Sequence, residues 1–194
     1  MKFTIADDDI EKCKTFAEES VGTNANKYAY RGQSNSTKIK SDITVGKLGE
    51  IAAYNFLSPK YPNLSGPDFQ IYQKKDKSWS PDLLDPVANI KVGVKSQDIK
   101  SSNAYGMSWV FQYNFGKNFD CDKEVFGEEK EPNHLICFVS VNLPKKEGEI
   151  KGLVQVPWLH ENQMFKPMKK ANLVGNKVAV YMEDLEKHEN IWQF

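Results

Sequence analysis

The sequence predicts a mixed α/β (α+β) fold in which a mixed central β-sheet is flanked by helices. Three observations predict this class. Two early segments carry apolar residues at helical spacing, the middle of the chain alternates polar and apolar residues, and the last third holds two long apolar segments typical of buried strands. With 194 residues, of which 40% are hydrophobic and 12% aromatic, the chain suits one folded domain covering residues 1–194.

The first third of the chain predicts two helices. Residues 8–20 predict the first helix. The carboxylates of an acidic triplet at its start interact favourably with the positive end of the helix dipole. The polar stretch YAYRGQSNSTKIKSD predicts a loop, and TVGKLGEIAAYNFL then predicts a second helix with Thr44 as its N-cap. One row of this helix consists of small residues that allow close packing on a sheet: Gly46, Gly49 and Ala53.

The remaining elements are mostly strands. In chain order, the predicted strands are FQIYQ, DLLD, NIKVGVKSQ, SWVFQYNF, HLICFVSVNL, IKGLVQVPWL and the first half of NKVAVYMEDLEKHE. The second half of that last segment and PWLHENQMF predict short helices. The acidic stretch near residues 116–133 predicts a surface loop.

Composition narrows the classes of function. The 26 basic and 26 acidic side chains give a formal net charge of +0, so the overall charge does not indicate a polyanionic partner. No apolar run reaches the length of a membrane span, and the acidic N-terminus lacks the core of a signal peptide. Cys13, Cys121 and Cys137 are widely spaced, which fits reduced thiols in a cytoplasmic protein better than disulfides or a zinc site.

The strand NIKVGVKSQ raises the question of function. Alternation along a strand places the apolar residues on a core-facing side: Ile90, Val92 and Val94. The opposite, polar face carries Lys91, Gly93, Lys95 and Gln97. A lysine on such a face is ordinarily a solvent-facing residue, and that interpretation stays open. The alternative is a site, because Asp82 begins the preceding predicted strand and Glu50 lies on the second predicted helix.

These three pieces, in this order, resemble the PD-(D/E)XK nuclease superfamily, which has the restriction-endonuclease-like fold. In that family a helix supplies a glutamate, a strand begins with Pro-Asp, and the next strand ends in acid-x-Lys. By position, Glu50 in GKLGEIAAY matches the helical acid and Asp82 in SPDLLD matches the Pro-Asp. Lys95 in VGVKSQ, thirteen residues after Asp82, matches the lysine. The resemblance covers about residues 42–100.

The sequence departs from the family at Gly93, where the acid of acid-x-Lys is expected. Three explanations stay open. The Gln97 amide oxygen or Asp85 fills the position, a second Pro-Asp pair in SGPDFQIY brings Asp68 across, or the site is inactive. Mg²⁺ is usually held by only one or two carboxylates, so Asp82 with Glu50 or Asp68 is sufficient as a protein ligand set.

The resemblance implies a Mg²⁺- or Mn²⁺-dependent endonuclease that hydrolyses DNA as a homodimer, with no membrane and no organic cofactor involved. The implied catalytic residues are Asp82, Lys95, Glu50 and Gln97. The implied metal ligands are Asp82, Glu50 and Asp68. Lysine would orient or help deprotonate the attacking water and offset charge on the phosphate. Plain surface or turn roles for the three acids remain alternatives.

Candidate DNA contacts flank this region. Between Lys27 and Lys47 five basic residues stand against one acid, and the segment QDIKSSNAYGMSW supplies hydroxyls and amides. The candidate nucleic-acid-binding residues are Arg31, Gln33, Lys38, Lys40, Ser101 and Asn103. A solvated loop explains the basic segment equally well. Two other functions stay open: a catalytically impaired DNA-binding or interaction protein that keeps the fold, and a structural protein in which Asp82 and Lys95 are unrelated in space.

Overall fold

The computed structural model describes residues 1–30, 34–72, 81–113, 122–126, 133–170, 173–175 and 177–193. The helices are α1 (Asp7–Tyr30), α2 (Ser36–Leu57), α3 (Ile99–Tyr105), α4 (Lys123–Phe126), α5 (Val156–Glu161) and α6 (Met182–Leu185). The strands are β1 (Lys2–Thr4), β2 (Leu83–Asp85), β3 (Ile90–Asp98), β4 (Ser108–Gln112), β5 (His134–Asn142), β6 (Glu147–Gln155), β7 (Lys166–Pro167) and β8 (Lys177–Tyr181).

The strands form two sheets. The larger is a mixed five-stranded sheet in the order β1-β6-β5-β3-β2, in which β3 and β5 run parallel and every other pair is antiparallel. The smaller is an antiparallel sheet in the order β4-β8-β7. The mixed α+β class with a mixed sheet and helices packed against it is therefore confirmed, while the separate second sheet and strand β1 were not predicted.

Strand β5 divides the core into two layers. Its alternate residues Leu135, Cys137 and Val139 pack with α1, α2 and the β3 residue Val92. The intervening Ile136 and Phe138 pack instead with β4, β8 and α5. Both faces of β5 are thus buried, which explains its nearly continuous apolar sequence. The polar face predicted for β3 is likewise covered in part, because it lies toward this second layer.

Helix α2 packs closely on β3 through one glycine. A Cβ atom built on Gly49 would overlap Ser96 Oγ and lie 3.0 Å from Ser96 Cβ, so only a residue without a side chain fits there. Gly46, one turn earlier, has no such neighbour within 4 Å. Of the glycines in the predicted row of small residues, Gly49 is therefore required by close packing and Gly46 is not.

Replacing Gly49 by alanine should destabilise the fold by about 1–3 kcal/mol, because the added methyl group forces α2 away from β3. The matched variant Gly46→Ala should be neutral or stabilise by up to about 1 kcal/mol, since alanine favours a helix and the site is open. Urea unfolding of both variants measures the difference. Equal midpoints for Gly49→Ala and the wild type would contradict this packing.

The helical region differs from the prediction at its middle. Helix α1 continues to Tyr30 instead of ending near residue 20, and α2 begins at Ser36 within the predicted loop. The N-cap of α2 is Asn35, whose side chain accepts a 3.0 Å hydrogen bond from the Lys38 N–H. Thr44, the predicted cap, lies inside the helix and donates to Lys40 O. The two helices pack against each other, and in proteins helices are stabilised mainly by such packing and not by local sequence alone.

The strand predicted at FQIYQ is also wrong for the part that the structure describes. Residues 69–72 form no strand. Instead the Phe69 ring packs edge-on against Phe16 of α1 at a centroid distance of 5.5 Å. The alternation in this segment therefore reflects packing on a helix.

Among the described residues, no helix has both the length and the apolar content that crossing a bilayer requires.

Candidate active site

The predicted acid Asp82 lies at an edge of the larger sheet. Strand β2 pairs with β3 only from Leu83 opposite Val92 to Asp85 opposite Ile90. Asp82 comes directly before β2, and its Oδ2 accepts a 2.7 Å hydrogen bond from the Val94 N–H. The carboxylate therefore takes the place of a strand partner on β3 and is fixed where the β2 ladder stops.

Several charges act on the Asp82 carboxyl. Burial raises its pKa above the ordinary value, while the Val94 N–H and the charges of Lys95 and Lys47 act to lower it and Asp122 acts to raise it. The residue as a whole nevertheless remains exposed. Water and ions can therefore reach a carboxyl group that is surrounded by protein and by charges of both signs.

Glu50 projects from α2 and is almost fully buried, with 9% of the residue exposed. Its Oε2 is 2.6 Å from the Lys47 ammonium, three residues earlier on the helix. Burial raises the pKa of the Glu50 carboxyl to about 7, and the negative charge of Asp82 contributes further, while Lys47 opposes the shift. Two carboxyl groups that repel each other in a desolvated environment form a site that a cation stabilises.

Lys95 is held by contacts on the other side of β3. Its ammonium lies 3.1 Å from Asp122 Oδ2 and 4.8 Å from the ring centroid of Phe111 on β4. The same Asp122 oxygen accepts a 3.0 Å hydrogen bond from the Gln112 N–H, which fixes the carboxylate beside the lysine. Lys95 is therefore a positioned cation and not a freely moving surface side chain.

Glu50 and Lys95 approach Asp82 from opposite faces of β3. Ser96 faces α2, the helix that carries Glu50, whereas Lys95 faces Phe111 in the second core layer. Asp82 interacts electrostatically with both, since its charge raises the pKa of Glu50 and the charge of Lys95 lowers its own. The three residues that carry the family resemblance are therefore divided between the two faces of β3, with Asp82 at its edge.

The position that lacks the expected acid is closely packed. A Cβ atom on Gly93 would lie 3.1 Å from Ile136 Cδ1 and 3.4 Å from His134 Nε2. A side chain there would require Ile136 on β5 to shift by a few tenths of an ångström. The acid beside the lysine is instead Asp122, 27 residues after Lys95. Sequence reasoning missed it, because its only signal was the excess of acids in a predicted loop.

The other candidate substitutes for the missing acid have structural contacts. Gln97 Oε1 accepts a 2.7 Å hydrogen bond from the Ser108 N–H and so joins β3 to β4. Asp85 Oδ1 accepts from two backbone N–H groups of the following turn. Asp68 is exposed, and its oxygens accept from the Gln70 N–H and the Tyr72 hydroxyl. Its charge contributes to the raised pKa of Glu50, so it lies on the α2 side of the site.

Of the predicted DNA contacts that the structure describes, Lys38, Ser101 and Asn103 are exposed and Lys40 is half-buried. Lys38 is 2.9 Å from Asp42 and Lys40 is 3.6 Å from Glu18, both on the surface, where such pairs are weak and readily exchanged for a phosphate. Ser101 and Asn103 are exposed on α3, which follows β3 without a break. Arg31 and Gln33 lie outside the described residues.

A divalent cation such as Mg²⁺ requires hard oxygen ligands. Within the described ranges, no three or more His, Cys, Asp or Glu side chains are grouped so that they could hold a metal ion. Mg²⁺ needs fewer protein ligands, because it usually retains several waters and binds one or two carboxylates. Glu50 and Asp82 fit this requirement: both supply hard oxygen ligands, their charges repel each other, and Asp82 is accessible.

Comparisons with protein-family models, with curated proteins and with solved structures find no match to this chain. The chemistry of the candidate site is therefore argued from its own residues.

Proposed function

We propose that this chain is a Mg²⁺- or Mn²⁺-dependent endonuclease that hydrolyses DNA phosphodiester bonds, with its site residues in a restriction-endonuclease-like arrangement. One observation carries the proposal. The Asp82 carboxylate, fixed at the edge of β3, interacts electrostatically with Glu50 on α2 and with Lys95 on β3. These are the three positions at which the sequence resembles metal-dependent nucleases.

Each residue of the proposed site has its own chemical role. Glu50 and Asp82 would hold the cation, which when bound neutralises phosphate charge and makes hydroxide available near neutral pH. The Lys95 ammonium orients the attacking water and offsets the negative charge that develops on the phosphate. Asp122 and Phe111 keep the ammonium in place. Asp122 thereby supplies, from another segment, a carboxylate beside the lysine that Gly93 lacks.

The polymer would be held by exposed or half-buried residues on α2 and α3 near the site. Lys38 and Lys40 precede Glu50 on α2 by roughly 15–18 Å along the helix axis, at 1.5 Å per residue. That distance suits contacts to phosphates several nucleotides from the scissile bond. Ser101 and Asn103 on α3 offer hydrogen bonds to phosphate oxygens. A homodimer, which would allow both strands to be cut, stays a prediction.

A second candidate is a DNA-binding protein that has the same arrangement without the activity. The close approach of Ile136 to Gly93 favours it, because an acid at this position requires the Ile136 side chain to move. In this case Asp122 would only neutralise Lys95. The two candidates differ in cleavage and agree in binding.

The test uses supercoiled plasmid incubated with the protein in Mg²⁺, in Mn²⁺ and in EDTA. The nuclease should nick or linearise the plasmid with either metal and not in EDTA. Lys95→Met, purified in the same way, excludes a contaminating nuclease. A mobility-shift measurement with Ca²⁺ reports binding separately. Binding without cutting by the wild type supports the second candidate, and the absence of both overturns the two proposals together.

A further inference from the structure

A second lysine contacts the proposed metal ligands. The Lys47 ammonium is 2.6 Å from Glu50 Oε2, and only 14% of the Lys47 side chain and 12% of the Glu50 side chain are exposed. Its nitrogen also lies 5.1 Å from the ring centroid of Phe16 and 5.6 Å from that of Phe69. The ammonium is therefore enclosed between a carboxylate and two aromatic rings.

This enclosure distinguishes Lys47 from an ordinary helical ion pair. Glutamate–lysine pairs three residues apart on an exposed helix surface contribute little to stability and exchange freely with water. Here both partners are largely removed from solvent, and the rings add cation–π attraction. The positive charge is thus fixed against Glu50, and it acts on Asp82 as well.

The position of this charge conflicts with that of a bound cation. A divalent ion held by Glu50 and Asp82 would share the Glu50 carboxylate with Lys47, and its charge would repel the ammonium that lies 2.6 Å from Oε2. The two cations therefore weaken each other's interaction with Glu50, because each lies close to the other's positive charge. The aromatic rings can retain the lysine near the site after it leaves the carboxylate.

We propose that Lys47 is an internal counterion that occupies Glu50 until a divalent cation binds, and that binding of the cation releases the ammonium from Glu50. This inference rests on the proposed function, because it takes Glu50 and Asp82 as the ligands. The released ammonium then becomes a phosphate-binding group beside the metal. Cation binding and phosphate binding therefore reinforce each other, as coupling between two sites is reciprocal.

Mn²⁺ binding without DNA tests the competition. The free Mn²⁺ signal in electron paramagnetic resonance, recorded at pH 8, should show at least fivefold tighter binding to Lys47→Met than to the wild type, because the competing charge is gone. Lys12→Met is the matched control. The Lys12 ammonium lies 4.1 Å from the centroid of the same Phe69 ring, and its removal should change the Mn²⁺ affinity by less than twofold.

A second measurement needs no variant and so does not depend on how Lys47→Met folds. Pulsed amine acetylation of the wild type, read by mass spectrometry, should modify Lys47 slowly without metal and several-fold faster with Mn²⁺, while Lys12 stays unchanged. If the wild type binds Mn²⁺ but neither the affinity of Lys47→Met nor the acetylation of Lys47 changes, the counterion role is overturned and the nuclease proposal stands. If the wild type binds no Mn²⁺, both are overturned.

Discussion

Replacing Lys95 by methionine should lower the Mg²⁺-dependent cleavage rate by about 10²–10³-fold, because the ammonium that orients water and offsets phosphate charge is lost. Methionine keeps the length of the side chain and can pack on Phe111, so the strand should stay in place. The rate is measured in single turnover with enzyme in excess over a short duplex. This separates the chemical step from product release.

The matched control for this variant is Lys91→Met. Lys91 lies on the same strand and the same face, four residues earlier, which is about 13 Å at 3.3 Å per residue. Its removal should change the rate less than threefold, and the duplex affinity of both variants should stay close to that of the wild type. Equal losses in the two variants would mean that general positive charge matters and that Lys95 has no special position.

Much of the fold follows from strand periodicity. The strands β3, β5 and β6 were predicted because buried strands contain continuous or alternating apolar residues, and that pattern depends little on the rest of the chain. The boundary between α1 and α2 was not predictable in this way. It depends on helix formation through residues 24–30, whose polar sequence is typical of a loop, and helix stability in proteins comes mostly from tertiary packing and not from the local sequence.

The residues of the candidate site also differ in how far the sequence predicts them. Asp82 and Lys95 were predicted from the family resemblance, and the pairing of β2 with β3 places Asp82 beside Val94, the residue before Lys95. Asp122 was not predicted. Its contact with Lys95 depends on the position of β4, where Phe111 packs on the lysine and the Gln112 N–H donates to the Asp122 carboxylate. No spacing in the sequence encodes a contact made through a second sheet. Gly93 showed only that an acid was missing and not where another is supplied.

The stability of the wild type should fall between about pH 4.5 and 7 through Glu50, and Glu50→Gln should remove this loss. The pKa of Glu50 rises from 4.5 to about 7 on folding, so in this range the folded state keeps a proton that the unfolded state has released. Stability decreases with pH wherever the folded state binds more protons. The loss is about 3 kcal/mol above pH 7, at about 1.4 kcal/mol for each pKa unit. Urea unfolding at pH 5 and pH 8 measures it.

Glu50→Gln should therefore match the wild type at pH 5 and exceed its stability by about 3 kcal/mol at pH 8, since glutamine is neutral and still accepts a bond from Lys47. Glu18→Gln, at a glutamate whose side chain is 68% exposed, should change stability by less than about 0.5 kcal/mol at both values. Mg²⁺ should stabilise the wild type at pH 8 and not Glu50→Gln, because ligand binding to the folded state adds stability. If the difference in unfolding free energy between Glu50→Gln and the wild type is independent of pH, the Glu50 charge carries no such cost. The electrostatic argument for a cation at this site would then fail as well.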